Sequence, residues 1–112
     1  MRIAIPIAEG RLAMHFGHCQ EFVLFDVDEA AKQAGEPSYA QPPAHAPGVL
    51  PRWLASQGAE MIIAGGMGSR AQGLFAQSGI KVLVGAPSLT PEEIVEAYLA
   101  GKLESGTNIC DH

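Results

Sequence analysis

The sequence predicts an α/β protein with one mixed sheet and helices on both faces of that sheet. Its first half carries apolar segments with the pattern of strands, and its second half alternates helical and strand-like segments. The chain has 112 residues, of which 47% are hydrophobic. That length is typical of one domain, and a domain of this size buries roughly two-thirds of its unfolded surface. We therefore expect a single domain over residues 1–112.

The strands of the first half are predicted from their apolar residues. In residues 2–7 the three isoleucines recur at every second position, which is the period of a strand. Residues 21–27 are apolar on both faces, as in a buried central strand. Three prolines interrupt residues 36–43, so this segment is at best an edge strand. These segments predict an antiparallel meander.

The second half predicts three helices separated by strands at 60–64 and 80–84. Thr90 gives the clearest start signal, because Pro91 and Glu93 follow it at the first and third helical positions of a capping box. A meander followed by this alternation is the element order of a five-stranded ribonuclease-H-like arrangement. The apolar helix stripes are Val49, Leu50, Trp53 and Leu54; then Ala71, Leu74 and Phe75; then Ile94, Val95, Tyr98 and Leu99.

Charge and composition exclude several classes of protein. The net charge is −5 and the seven Lys and Arg residues are scattered, so we expect no nucleic-acid partner. No apolar run reaches the roughly 20 residues of a membrane span, and the N-terminus lacks the features of a signal peptide. Two cysteines are too few for a disulfide framework. We expect a monomer in the cytosol with no membrane partner.

The first candidate site is the run from Met14 to Cys19, which contains a thioether, two imidazoles and a thiol. Soft sulfur and imidazole donors select Cu(I), zinc and iron–sulfur species over magnesium or calcium. The other interpretation is a tight turn at Gly17, with Phe16 packed in the core and a buried cysteine. The residues alone leave both interpretations open.

The second candidate site is the glycine-rich segment from Ala64 to Ala71. Glycines let the backbone approach a ligand, the N–H groups of a helix start form an anion site, and Arg70 adds a charge. The spacing Gly66-x-Gly68-x-x-Ala71 matches a relaxed dinucleotide fingerprint, but no acid stands at a strand end about twenty residues later, near Ser88-Leu89-Thr90, to hold a ribose. A nucleotide- or anion-binding domain or enzyme using Gly65–Arg70 is the alternative function, and a turn for close packing is the third interpretation.

Enzymatic chemistry is not predicted. Strands RIAIPI and MIIAGG contain no acid, which excludes a nuclease that holds magnesium ions on these strands. Cys19 with His15 or His18 is the one candidate nucleophile–base pair, and no acid or amide is placed to orient either ring. The C-terminal run Cys110-Asp111-His112 offers a Cys-x-His chelate, although terminal residues commonly lack fixed structure.

Taken together, these segments resemble the dinitrogenase iron–molybdenum cofactor biosynthesis family. The resemblance spans nearly the whole chain, and the His15-Phe16-Gly17 loop is its most specific part. It implies a ribonuclease-H-like fold that carries a metal–sulfur cluster without catalysis, with other proteins receiving or sensing the cluster. The similarity is greatest to the orange protein branch, which is associated with a molybdenum–copper sulfide cluster; a related iron–molybdenum–sulfur cluster is the other expectation. The further matching segments are the opening strand, Phe22, Gly66-Met67-Gly68, Gly79-Ile80, the terminal helix and Cys110-Asp111-His112.

The resemblance and the residues predict one shared site, with both loops at the same end of the sheet. A thiomolybdate-type cluster is a soft anion that suits a partly apolar cleft with N–H donors and cations. Cluster sulfides are able to supply every metal ligand, so direct bonds to the protein are optional. The expected cofactor contacts are Arg11, Met14, His15, Phe16, Gly17, His18, Gly66, Met67, Gly68, Ser69 and Arg70. The candidate metal ligands are His15, His18, Cys19, Cys110 and His112.

Overall fold

A computed structural model of the chain describes residues 1–16, 19–43 and 48–103. Seven strands and three helices lie within these ranges. In chain order they are β1 (Arg2–Ala8), β2 (Arg11–Leu12), β3 (Glu21–Asp28), β4 (Gln33–Ala34), β5 (Ser38–Ala40), α1 (Val49–Ser56), β6 (Met61–Ile63), α2 (Ser69–Gln77), β7 (Lys81–Leu83) and α3 (Pro91–Leu99).

The strands form one mixed sheet, which confirms the predicted α/β class. β1 is central, antiparallel to β3 on one side and parallel to β6 on the other. β7 continues the parallel part beyond β6, and β5 is antiparallel to β3. All five predicted strands are therefore present. The sheet also includes the two-residue strands β2 and β4, which pair with β1 and β3 and are too short to show a period in the sequence.

Helices cover both faces of the sheet, as predicted. On one face Ile3, Ile5 and Ile7 of β1 belong to a buried cluster with Ile94 and Val95 of α3. On the other face Ala4 belongs to a cluster completed by residues of α1 and α2. The residues that α1 and α2 bury there are Leu50, Leu54 and Phe75.

The ends of the helices follow local signals in the sequence. The hydroxyl of Thr90 accepts the Glu93 N–H at 3.3 Å, and the Glu93 carboxylate accepts the Thr90 N–H at 3.1 Å, so the capping box is confirmed. Gly79 follows α2 with φ 77°, a left-handed conformation that favours glycine. Among the described residues, no helix is long and apolar enough to span a membrane.

The topology gathers three connections at one edge of the sheet. Because β1, β6 and β7 are parallel, their carboxyl ends lie at the same edge, which we call the carboxyl edge. Beyond β6 the chain turns into α2 on one face, and beyond β7 it turns into α3 on the opposite face. Such divergence of neighbouring connections opens a crevice in which ligands of α/β proteins commonly bind.

Candidate functional site

The two predicted loops meet at the carboxyl edge. The Phe16 N–H donates to the Gly66 carbonyl at 2.8 Å, and the Gly66 N–H donates to the Met14 carbonyl at 2.7 Å. These bonds form an isolated parallel bridge between His15 and Gly66. The expectation that both loops lie at the same end of the sheet is therefore confirmed.

Gly65 lies in close contact with the first loop. A Cβ atom built on Gly65 would be 2.9 Å from the Ala13 carbonyl oxygen and 3.0 Å from both Cα and the carbonyl oxygen of Met14. On its other side the Gly65 carbonyl accepts the Gly85 N–H at 2.6 Å. No local pattern in the sequence singles out Gly85, because its partner Gly65 is distant in the sequence. Gly65, just beyond β6, thus lies between the Ala13–Met14 segment on one side and Gly85 on the other.

In the first loop Met14 and His15 are exposed, whereas the ring of Phe16 is half-buried. The side chain of Met14 is 44% exposed. The half-buried ring of Phe16 packs edge-on against Phe75 of α2, with centroids 5.5 Å apart, and lies 6.1 Å from the ring of Phe22. Phe16 therefore packs against the core, as the interpretation of this run as a tight turn predicts. Contact of Met14 and His15 with a cofactor stays a prediction.

Cys19 lies behind this loop and is half-buried against the core of the α1 and α2 face. Burial raises the pKa of its thiol to about 11, because the charged thiolate loses solvation there. At neutral pH the thiol is protonated, whereas metal ligation requires the thiolate. Direct bonding of Cys19 to a metal stays a prediction, because a bound metal would itself deprotonate the thiol.

The glycine-rich segment leads into the first turn of α2. Gly68 is the N-cap residue, and among the described residues no side chain caps this turn and no acid lies within it. Ser69 and Arg70 are exposed there. Met67 differs from the expectation, because its side chain is 0% exposed and belongs to the core. Its carbonyl accepts the side-chain amide of Gln72 at 2.8 Å, which ties the segment to α2.

Arg11 lies beside the start of α3. Its guanidinium donates to the Ser88 carbonyl at 3.2 Å, and the Ser88 hydroxyl donates to the Leu12 carbonyl at 3.2 Å. The backbone N–H of Thr90 holds the pKa of Glu93 below its ordinary value, and the charge of Arg11 adds to this effect. The hydrogen bond that Arg11 makes is therefore with the segment before α3, and its contact with a cofactor stays a prediction.

Four of the expected site residues lie outside the described residues. Among the residues the structure describes, no three His, Cys, Asp or Glu side chains are grouped to hold a metal ion. What the described residues do bring together is a thioether, an imidazole and the start of a helix at one edge. The four residues are Gly17, His18, Cys110 and His112.

Comparisons with known proteins agree with this fold. The family model of the dinitrogenase iron-molybdenum cofactor matches residues 1–101. An uncharacterized protein of Methanocaldococcus jannaschii is 33% identical over 107 residues, which covers 93% of this chain and 90% of that protein. The crystal structure of a protein named PH0822 aligns with a TM-score of 0.86 and 27% identity over 96% of each chain. The apo form of the orange protein from Desulfovibrio gigas aligns with a TM-score of 0.72 and 26% identity, over 96% of this chain and 93% of that one. The chain belongs to the dinitrogenase iron-molybdenum cofactor family.

Proposed function

We propose that this protein is a non-catalytic carrier of a molybdenum-containing metal–sulfur cluster, with a molybdenum–copper sulfide as the favoured form. Family membership and the similarity to the orange protein of Desulfovibrio gigas support a cofactor-binding role. The observation that carries the proposal is the backbone pairing of the two loops. Through the bonds between Phe16 and Gly66, the exposed Met14 and His15 stand beside the segment that opens α2.

The chemistry of the donors fits a soft sulfide anion. Met14 and His15 supply the thioether and imidazole groups that prefer soft metals. The first turn of α2 carries about half a positive charge from the helix dipole, and Arg70 adds a full charge. No acid opposes them within that turn. A cluster that brings its own sulfides would then need hydrogen bonds and charge from the protein more than a thiolate from Cys19.

The remaining parts of the proposal concern the whole molecule. The five principal strands have the spatial order β5-β3-β1-β6-β7 with only β3 antiparallel to the others, which supports a ribonuclease-H-like arrangement. We further propose a monomer of one domain over residues 1–112, acting in the cytosol. Its partners would be proteins that receive or sense the cluster, and neither nucleic acid nor membrane is among them.

Reconstitution tests the proposal directly. The apoprotein would be mixed without air with tetrathiomolybdate and Cu(I), then passed through a desalting column. Charge-transfer absorption in the visible should travel with the protein, and metal analysis of that fraction should find molybdenum. A colourless protein fraction would contradict the proposal. If nucleotides also raised the melting temperature of that colourless protein, the alternative function of the Gly65–Arg70 segment would be favoured.

A further inference from the structure

We propose that Gly65 is a positioning residue, whose missing side chain allows residues 13–16 to close on the glycine-rich segment. This closure holds Met14 and His15 beside the start of α2. This inference rests on the proposed function only for the identity of the ligand, which is a metal–sulfur cluster. The closure itself is a property of the protein without any ligand, and it is testable separately.

Gly65 is required for space and not for its backbone conformation. It is buried and is not among the glycines with positive φ, so other residues could adopt its backbone angles. The contacts that a Cβ would make, at 2.9 and 3.0 Å, are all with backbone atoms of Ala13 and Met14. Real Cβ atoms essentially never approach a heavy atom to less than 3.0 Å, so the 2.9 Å contact with the Ala13 carbonyl oxygen would require one of the two segments to shift.

Each of the two segments is held by a further hydrogen bond to another part of the fold. The Ala13 N–H donates to the Pro6 carbonyl at 2.9 Å, which fixes the first segment to β1. The Gly65 carbonyl accepts the Gly85 N–H at 2.6 Å, which fixes the second segment to the chain beyond β7. We therefore expect the two segments to move apart from each other. This movement would break the hydrogen bond that the Gly66 N–H donates to the Met14 carbonyl at 2.7 Å. Adding one methyl group to Gly65 therefore acts mainly on loop closure.

The chain offers a matched control for this substitution. Gly73 lies in the middle of α2, and a Cβ there would meet nothing within 4 Å. Gly65→Ala and Gly73→Ala thus add the same methyl group, one in a crowded position and one in open space. Amide hydrogen exchange would be measured by NMR on both apoproteins and on the native apoprotein. Retention of the probe, tetrathiomolybdate with Cu(I), would then be measured after desalting.

In Gly65→Ala we expect the loop to be open in about nine molecules of ten, so the Phe16 and Gly66 amides should lose nearly all protection from exchange, which follows the free energy of local opening. Amides in the ladder between β1 and β6 should keep their native rates. Probe retention should fall by about tenfold, in proportion to the fraction of closed loop. Gly73→Ala should match the native protein in both loop exchange and retention.

Three results would overturn the inference. Native exchange rates at Phe16 and Gly66 in Gly65→Ala would show that the added methyl does not open the loop. Loss of exchange protection at Phe16 and Gly66 with unchanged probe retention would show that closure does not govern binding, while leaving the proposed function intact. A Gly65→Ala protein that fails to fold would place Gly65 in the general core rather than in loop closure. Failure of the native protein to retain the probe would contradict the proposed function, and the exchange rates would still decide the closure.

Discussion

The first turns of α2 and α3 begin at the same edge of the sheet but differ in how their N–H groups are satisfied. α3 supplies its own acceptors, since Thr90 and Glu93 form a capping box and Glu92 adds a second acid. In α2 the N-cap is Gly68, and among the described residues no side chain caps the turn and no acid lies in it. The start of α3 is therefore capped by its own side chains and carries negative charge, whereas the N–H groups at the start of α2 have no such cap among the described residues.

The largest effect on cluster retention is expected when the start of α2 is given the negative charge found at the start of α3. Arg70→Glu replaces a cation in the first turn of α2 by an acid. A multiply anionic cluster would then meet repulsion where it met attraction, so retention of the reconstituted cluster should fall at least about tenfold, or ~1.4 kcal/mol. Visible absorbance of the protein fraction after desalting measures the effect.

Lys81→Glu is the control for Arg70→Glu, because Lys81 is exposed at the start of β7 and the change in net charge is identical. Retention by Lys81→Glu should stay close to native. Equal retention by both variants would place the cluster away from the glycine-rich segment. An electrostatic origin also requires that native retention falls as salt rises, since salt screens exposed charges.

The next largest effect is expected when the side-chain cap of α3 is removed. Thr90→Ala removes the hydroxyl that accepts the Glu93 N–H. The free energy of unfolding should fall by about 1 kcal/mol, the usual cost of losing such a cap. Thermal or urea unfolding would measure it. Cluster retention should not change; a marked loss of retention would show that the start of α3 belongs to the binding site.

The capping box of α3 should also make the stability of the protein depend on pH. Hydrogen bonding to the Thr90 N–H lowers the pKa of Glu93 in the folded protein. Its stabilising contribution is therefore complete above its ordinary pKa of about 4.3 and is lost as pH falls through the lowered value. The native protein should unfold at a higher temperature than Glu93→Gln at pH 7, and the difference should shrink near pH 3. A difference that grows on acidification would contradict this assignment.

The smallest effect is expected at Cys19. If the open start of α2 and the cluster's own sulfides hold the cofactor, Cys19→Ser should keep most of the reconstituted colour. The raised pKa of this thiol, about 11, reflects its burial and means that a metal would have to displace the thiol proton in order to bind. Complete loss of colour in a folded Cys19→Ser protein would instead demonstrate thiolate ligation. The absorption spectrum, normalised to folded protein by circular dichroism, decides between these outcomes.

Much of the fold was predictable because its signals are local. The capping box at Thr90 needs only residues within one turn, and the alternating isoleucines of β1 need only the period of a strand. The ends of α1 and α2 follow the same logic, since Gly58 and Gly79 adopt the positive φ that favours glycine.

The site was less predictable because its decisive contacts join distant segments. The sequence gives no sign that Gly65 differs from Gly66, since the crowding comes from Ala13 and Met14 some fifty residues earlier. Met67 was expected to face a cofactor, yet its side chain is fully buried. An isolated methionine between glycines has no period, so no local pattern reveals the direction of its side chain.

The ring contacts of Phe16 give this protein an internal optical reporter. Trp53, the single tryptophan of the chain, packs edge-on against Phe22 with centroids 5.7 Å apart, and Phe22 in turn contacts Phe16. The indole of Trp53 is therefore separated from Phe16, the neighbour of His15, by the single ring of Phe22. A coloured cluster bound at His15 would accept that excitation energy and quench the emission. Cluster loading and loss can thus be followed by intrinsic fluorescence on the unlabelled native chain.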